Sequence, residues 1–374
     1  MRTNPVSLSA IVLAMGMAGA AMPGHAVEVS VRNLVTDDQA ANPAQITDPG
    51  LVNAWGISYS STSPFWVSSN GGGTSTLYRV DPATQATTKV ALTVTIPGAG
   101  NVTGQVFNGG GASQFNGDNF LFVSEDGTVS GWRGSLGTTA ETLATTAGIL
   151  KGAAIASVGG NNYLYAADFG RGSIDVIRGN AGAAPLTGSF TDAALPSGYS
   201  PFNIQALGGS LFVTYAERVG SDTDETAGAG LGVVDRYDLQ GNLIGRVATG
   251  GALNAPWGLA IAPSSFGALA GSLLVGNFGD GRISAYNLTT DSFMGQLDGS
   301  DGNPLSIDGL WGLSVGNDGG AGSSQSLYFT AGPSDESHGL FGVMQAVPEP
   351  GSLAMLVSGL LLLGRGLTRR AGRA

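Results

Sequence analysis

The sequence predicts an all-β protein, a six-bladed β-propeller closed by its N-terminal strand, on three observations. First, a Trp-Gly landmark recurs, as "NAWGISY" (53–59), "NAPWGLAIA" (254–262) and "DGLWGLSVG" (308–316). Trp257 and Trp311 lie 54 residues apart, and Trp55 and Trp257 lie 202 apart, four intervals of about 50. Stepping by that interval lands on "QVFNGGG" (105–111), "KGAAIASV" (151–158) and "FNIQALG" (202–208), which makes six units. Second, each landmark is followed by a strand-length apolar run, such as "PFWVSSN" (64–70), "NFLFVSEDG" (119–127), "NYLYAADFG" (162–170) and "SLLVGNFGDG" (272–281). Third, 62 glycines and 16 prolines sit in a chain that is still 42% hydrophobic, a composition of many tight turns around a real core.

Residues 1–26 precede the first predicted strand. Arg2, the apolar run from Leu8 to Ala21 and Gly24-His25-Ala26 form the three parts of a secretory signal peptide, expected to be cut after Ala26. "VEVSVRNLV" (27–35) then alternates as a strand should. Four strands are expected in each unit, with hairpin turns at Asp126-Gly127 and Asp280-Gly281. The last unit, from Trp311 to Ala346, looks one strand short, and residues 27–35 can supply it, leaving no open sheet edge. Seven blades or a pair of all-β sandwiches are the alternatives, and the tandem spacing opposes the sandwiches. "SDTDETAGAG" (221–230) reads as an exposed acidic insertion and "DGSDGNPLSIDG" (298–309) as an inter-blade loop.

The chain divides into 1–26, a body at 27–346 and a tail at 347–374. The body carries 11 Lys and Arg against 26 Asp and Glu, a balance that disfavours nucleic acid and anionic lipid. The tail reads "VPEPGSLAMLVSGLLLLGRGLTRR", and 347–364 as a helix would span roughly 27 Å, just short of a hydrocarbon core. The arginines that follow hold the terminus on the cytoplasmic side, so the body is expected outside the inner membrane, anchored through the tail before processing. This order of parts resembles the PEP-CTERM sorting signal of Gram-negative bacteria. The resemblance implies recognition of Pro348, Glu349 and Pro350 by an exosortase, with Arg365, Arg369 and Arg370 in the basic end, and delivery to the cell surface or beyond. An unprocessed tail anchor is the other reading.

The Trp-Gly and apolar-strand pattern is similar to NHL-repeat and gluconolactonase-like propellers, groups that contain both hydrolases and binding modules. Chemistry is constrained mainly by what is missing. There is no cysteine, one histidine remains after residue 26, only two lysines exist (Lys89, Lys151), and no Gly-x-Ser-x-Gly or phosphate-cradling loop occurs. Polar residues do recur at equivalent places. Asn53, Asn254 and Asp308 precede the Trp-Gly pairs and Asn203 lies in the matching "PFNIQ", while Asn70, Asp126, Asp168, Glu217, Asn277 and Asp335 follow the second strands. Such oxygens converging on a channel mouth could hold Ca²⁺, which takes six to eight oxygens, and gluconolactonase-like propellers use such a set by resemblance. The other reading makes each a turn former bonded to its own backbone. His338 is a base, a binding residue or a solvent-facing loop histidine. The expectation is an exported, monomeric surface or matrix propeller that binds extracellular polysaccharide or another surface protein. A Ca²⁺-dependent lactonase-like hydrolase is the alternative.

Overall fold

The computed structural model describes residues 27–348. The expected signal peptide, and Glu349, Pro350, Arg365, Arg369 and Arg370 of the expected sorting signal, lie outside the described residues; Pro348 is exposed at their edge. Among the described residues no helix is long and apolar enough to cross a membrane, and helix is confined to single 3₁₀ turns such as Phe115–Gly117.

The chain is all-β and propeller-like. After strands β1 (Val27–Thr36) and β2 (Ile46–Thr47), the first antiparallel group runs β3 (Ala54–Ser58), β4 (Phe65–Ser69), β5 (Thr74–Val80) and β6 (Thr87–Thr95). The second is β7 (Val102–Phe107), β8 (Phe120–Ser124), β9 (Thr128–Trp132) and β10 (Glu141–Thr145). The third is β11 (Leu150–Val158), β12 (Asn161–Asp168) and β13 (Ser173–Arg178). The fourth is β14 (Tyr199–Leu207), β15 (Ser210–Glu217), β16 (Val233–Tyr237) and β17 (Leu243–Thr249). The fifth is β18 (Pro256–Ile261), β19 (Leu273–Asn277), β20 (Ile283–Tyr286) and β21 (Phe293–Gly299). The sixth is β22 (Leu310–Val315), β23 (Leu327–Ala331), β24 (Leu340–Ala346) and β1.

Strand β1 pairs antiparallel with β24, Val29 opposite Ala346 and Thr36 opposite Leu340, where Val29, Leu34 and Val35 are fully buried. Its first residues also run parallel to β21, which joins the fifth and sixth groups in one sheet. The innermost strands β3, β7, β11, β14, β18 and β22 contact one another in cyclic order, and β22 meets β3 to complete the circuit. The third group departs from the expected four strands. Residues 179–198 contain Pro185 and Pro196, which have no N–H to donate to a ladder. That stretch instead lies against the fourth group, with Phe190 N donating to the Gly241 carbonyl.

One local device repeats around the circuit. Every innermost strand breaks register with its neighbour near its N-terminal end, between Ala54 and Ile57, Val102 and Gln105, Leu150 and Gly152, Pro201 and Asn203, Pro256 and Gly258, and Leu310 and Leu313. Such bulges re-aim a side chain. The residues concerned are Trp55, Thr103, Lys151, Phe202, Trp257 and Trp311, one tier with one member from each strand. Each is followed by Gly56, Gly104, Gly152, Asn203, Gly258 or Gly312. A β-carbon on Gly56, Gly104, Gly258 or Gly312 would strike the backbone of the next innermost strand in the circuit. The glycine of the Trp-Gly landmark is thus fixed by close approach. At Asn203 the side chain makes the crossing instead, its Nδ2 donating to the Trp257 carbonyl at 2.8 Å.

Candidate functional site

The tier closes the axis near the N-terminal ends of the innermost strands. Trp55 and Trp311 stack with centroids 3.6 Å apart, Trp257 meets both edge-on at 6.3 and 6.0 Å, and Phe278 stacks on the outer side of Trp311 at 4.1 Å. Phe169 and Phe202 complete this buried cluster. Lys151 occupies the position that Trp fills in three other strands. Its side chain is 1% exposed, with Nζ 5.3 Å from the Trp55 ring centroid and 5.9 Å from that of Phe169. Trp257 Nε1 donates to the Lys151 carbonyl, whereas Trp55 Nε1 is buried without a hydrogen-bond partner among the described residues.

Carboxylates converge on that ammonium. Lys151 Nζ lies 2.6 Å from Glu125 Oε1 and 2.9 Å from Asp224 Oδ1. Asn70 Nδ2 donates to Glu125 Oε2 at 3.2 Å, and Asn53 Nδ2 donates to Glu336 Oε2 at 2.5 Å. Asn53 Oδ1 in turn accepts from Trp311 Nε1 at 2.8 Å, tying the acidic layer to the tryptophan layer. Burial pulls the Lys151 pKa down, but the charges of Glu125, Glu225 and Asp224 outweigh it and hold the ammonium protonated well above its ordinary range. Burial pushes the half-buried Glu225 carboxyl up to about 7, against the pull of Lys151 and with help from Glu336 and Asp224. Glu336 is raised by burial too, opposed by Lys151 and Asn53. Asp224 is lowered, because Lys151 overcomes its desolvation.

Backbone strain marks the same mouth. Ser334, Asp335 and Glu336 take φ of 58°, 50° and 63° in succession, and Asn53 and Ala255 take 48° and 45°. A non-glycine residue held there costs on the order of 1–3 kcal/mol and persists only when its surroundings fix it. Three in a row bring the Glu336 carboxylate to Asn53.

Of the sequence-predicted residues, Asn53 and Asn70 join this network. The others lie apart from it. Asp126 accepts from Thr128 N in a local turn and from Ala99 N, whereas Asp308 accepts from Ser334 N and so braces the strained loop. Asp168 is buried, bonded to Ile149 N and Arg171 N and paired with Arg171 at 2.6 Å. Asn254 Oδ1 accepts from Gly228 N, and Asn277 bridges Asn254 N and the Ala252 carbonyl. Glu217 sits half-buried at the end of β15, and Asp335 is exposed in the strained loop. His338 Nδ1 lies 2.9 Å from Asp37 Oδ2, which places it beside the closing strand. The predicted oxygens therefore do not meet on the axis. Among the described residues, no group of three or more His, Asp and Glu side chains is arranged to hold a metal ion. The carboxylates that do converge already surround an ammonium.

Sequence reasoning missed Lys151, Glu125, Asp224, Glu225 and Glu336. Lys151 had a signal, since Lys-Gly stands in "KGAAIASV" where Trp-Gly stands elsewhere. Asp224 and Glu225 lie in the segment expected to be merely exposed; Asp224 remains open to solvent but folds back to Lys151.

Beyond the tier, toward the C-terminal ends of the innermost strands, the axis opens into a cavity of 460 Å³ lined by all six of them. Among the described residues, its lining contains no Asp, Glu, Lys, Arg or His. Gln105 is spent on structure, accepting from Ser75 Oγ and donating to the Gly56 and Trp66 carbonyls. The half-buried Gln205 makes no side-chain hydrogen bond to the described residues.

Fold and site together define an all-β, propeller-like protein with one mouth of its axis sealed by charge and tryptophan and the other open and uncharged. No family model matches the chain. It is 30% identical over 317 residues to uncharacterized protein R648 of Acanthamoeba polyphaga mimivirus, covering 80% of this chain and 76% of that one. It is also 30% identical over 318 residues to uncharacterized protein L690 of the same virus, covering 79% and 80%. The chain belongs to the family of these two proteins. Among solved structures, the WD40 β-propeller domain of Doa1 aligns with a TM-score of 0.44 at 10% identity, over 80% of this chain and 94% of that one. The propeller-like character rests on the strand pairing and the cyclic contacts rather than on that likeness.

Proposed function

We propose that this chain is an exported binding protein: a six-bladed propeller, carried out by residues 1–26, sorted by an exosortase through the tail at 347–374, and acting at the surface or in the extracellular matrix. The observation that supports binding over catalysis is the contrast between the two mouths. General acid–base catalysis needs a titratable group within hydrogen-bond reach of the reacting atom. Among the described residues, the open cavity offers only the Tyr59 phenol, which burial raises further from neutrality. At the other mouth Glu125 and Asp224 are paired with Lys151, and Glu336 is held by Asn53. The same pairing argues against a Ca²⁺ lactonase, since the ammonium fills the place where a cation would gather those oxygens. The tail motif and the acidic body favour a partner outside the cytoplasm, either matrix polysaccharide or another surface protein.

The test is to produce the full chain in an exosortase-bearing Gram-negative bacterium, fractionate the cells and determine both termini by mass spectrometry. The released protein is then run through gels cast with the host's extracellular polysaccharide. The expected result is a body outside the inner membrane, beginning at residue 27, cut near Pro348, and retarded by the polymer. A cytoplasmic body with both ends intact would overturn the export reading. Unretarded migration would overturn polysaccharide as the partner.

A further inference from the structure

We infer that the uncharged mouth is a binding site for a neutral small molecule with an apolar body and a single hydroxyl or carbonyl end. This rests on reading the protein as a binding propeller and names the ligand class of its open cavity. The volume of 460 Å³ falls within the range of small-molecule sites, roughly 300–1,000 Å³. Each innermost strand contributes one half-buried aliphatic side chain to the wall: Ile57, Val106, Ile155, Leu207, Ile261 and Val315. Such a wall favours an apolar body by removing its surface from water. A charged ligand would lose its hydration and find no counter-charge among the described lining residues.

Among the described lining residues, Gln205 and Tyr59 offer polar groups to the ligand's end, while the Ser58 hydroxyl is itself buried and the Ser314 hydroxyl donates to the Val315 carbonyl. Gln205 presents an amide that no described residue engages, able both to donate and to accept. The Tyr59 hydroxyl donates over a long 3.4 Å to the Gly316 carbonyl and lies beside the Ser314 hydroxyl. Gln105 and Asn203 line the same space, but their amides are consumed in joining neighbouring strands. A few free polar groups in an apolar enclosure fix orientation rather than supply most of the affinity.

The probe is N-phenyl-1-naphthylamine, a neutral fluorophore that brightens in apolar surroundings, titrated into the full-length protein. Saturable one-site binding is expected, displaced by 1-octanol and at least about 30-fold less well by octanoate, whose carboxylate would be buried unpaired. Ala206 lies exposed on the cavity rim, and Ala206→Trp should weaken the fluorophore at least about tenfold by filling the space. Gln205→Leu should leave the fluorophore within about twofold and weaken 1-octanol about fivefold, the worth of one hydrogen bond. Glu336→Gln, at the opposite mouth, should leave all of these values unchanged. Non-saturable binding, equal competition by octanoate, or indifference to Ala206→Trp would each overturn the inference. A protein that is exported and retarded by polysaccharide yet ignores the fluorophore would sink this site alone. A protein that binds the fluorophore but stays in the cytoplasm would sink the export reading alone.

Discussion

At the N-terminal ends of the six innermost strands, the axis holds three tryptophans, a phenylalanine, a threonine and a lysine ringed by acids. Two to five residues further along the same strands, the axis is a cavity walled by aliphatic side chains. The backbone is the same at both mouths; what differs is a bulge. Each bulge turns one side chain inward, and the residue after it, glycine in five strands and Asn203 in the sixth, joins or admits the neighbouring strand. Beyond that point the ladders regain register. One irregular residue per strand therefore decides whether the channel is filled or open, and five of the six filling residues are uncharged. The exception, Lys151, draws Glu125, Asp224, Glu225 and Glu336 around it, so one substitution in a repeated tier gives this mouth its charge.

The comparison is broken most severely by emptying the sealed mouth. Trp311→Ala removes a fully buried ring stacked between Trp55 and Phe278 and should cost roughly 4 kcal/mol in urea unfolding. A loss below about 1 kcal/mol would mean that the tier does not hold the axis together. Lys151→Met keeps the volume but strands the acids, and an expected loss of about 3 kcal/mol follows from uncompensated buried charge. Adding Glu125→Gln should recover part of it, a coupling that a purely packing role for Lys151 would not give.

The acids also make a pH prediction. The Glu225 carboxyl holds its proton up to about 7 in the folded protein, above its ordinary 4.5. Its contribution is fully present below 4.5 and is lost as pH rises through 7. Asp224, whose pKa is lowered, contributes in the opposite sense and only at lower pH. The melting temperature should therefore fall from pH 5 to pH 7.5. Glu225→Gln should flatten that slope without abolishing it, because burial also raises Asp118 to about 6 and Asp235 to about 7. An unchanged slope in the variant would remove Glu225 from the account.

Asp335→Gly tests the strained loop. The side chain is exposed and φ is 50°, so glycine should stabilise the protein by about 0.5 kcal/mol, the relief being partly offset by entropy in the unfolded chain. Smallest of all, Ala206→Trp at the open mouth should change stability by less than about 0.5 kcal/mol, because its side chain enters space rather than packing.

Much of this was legible beforehand. The predicted landmarks at 53–59, 105–111, 151–158, 202–208, 254–262 and 308–316 fall on the innermost strands, and residues 27–35 pair beside the last strand of the chain. Apolar runs of period two and recurring glycine carry that information locally. The site was less legible. Asn53 and Asn70 were found through their places in the repeat. Asp168, Asn254 and Asn277 hold the same kinds of place but spend their oxygens on nearby backbone, which residue type alone does not reveal.

By itself, then, the sequence determined the repeat, the strand pattern and the closing strand, because hydrophobic periodicity and tight turns are properties of neighbours in the chain. Only the tertiary structure decided which charges meet. Lys151 and Asp224 are 73 residues apart, and Asn53 and Glu336 are 283 apart. Their attraction depends on distance in space, which exists only once the six innermost strands have closed around one axis.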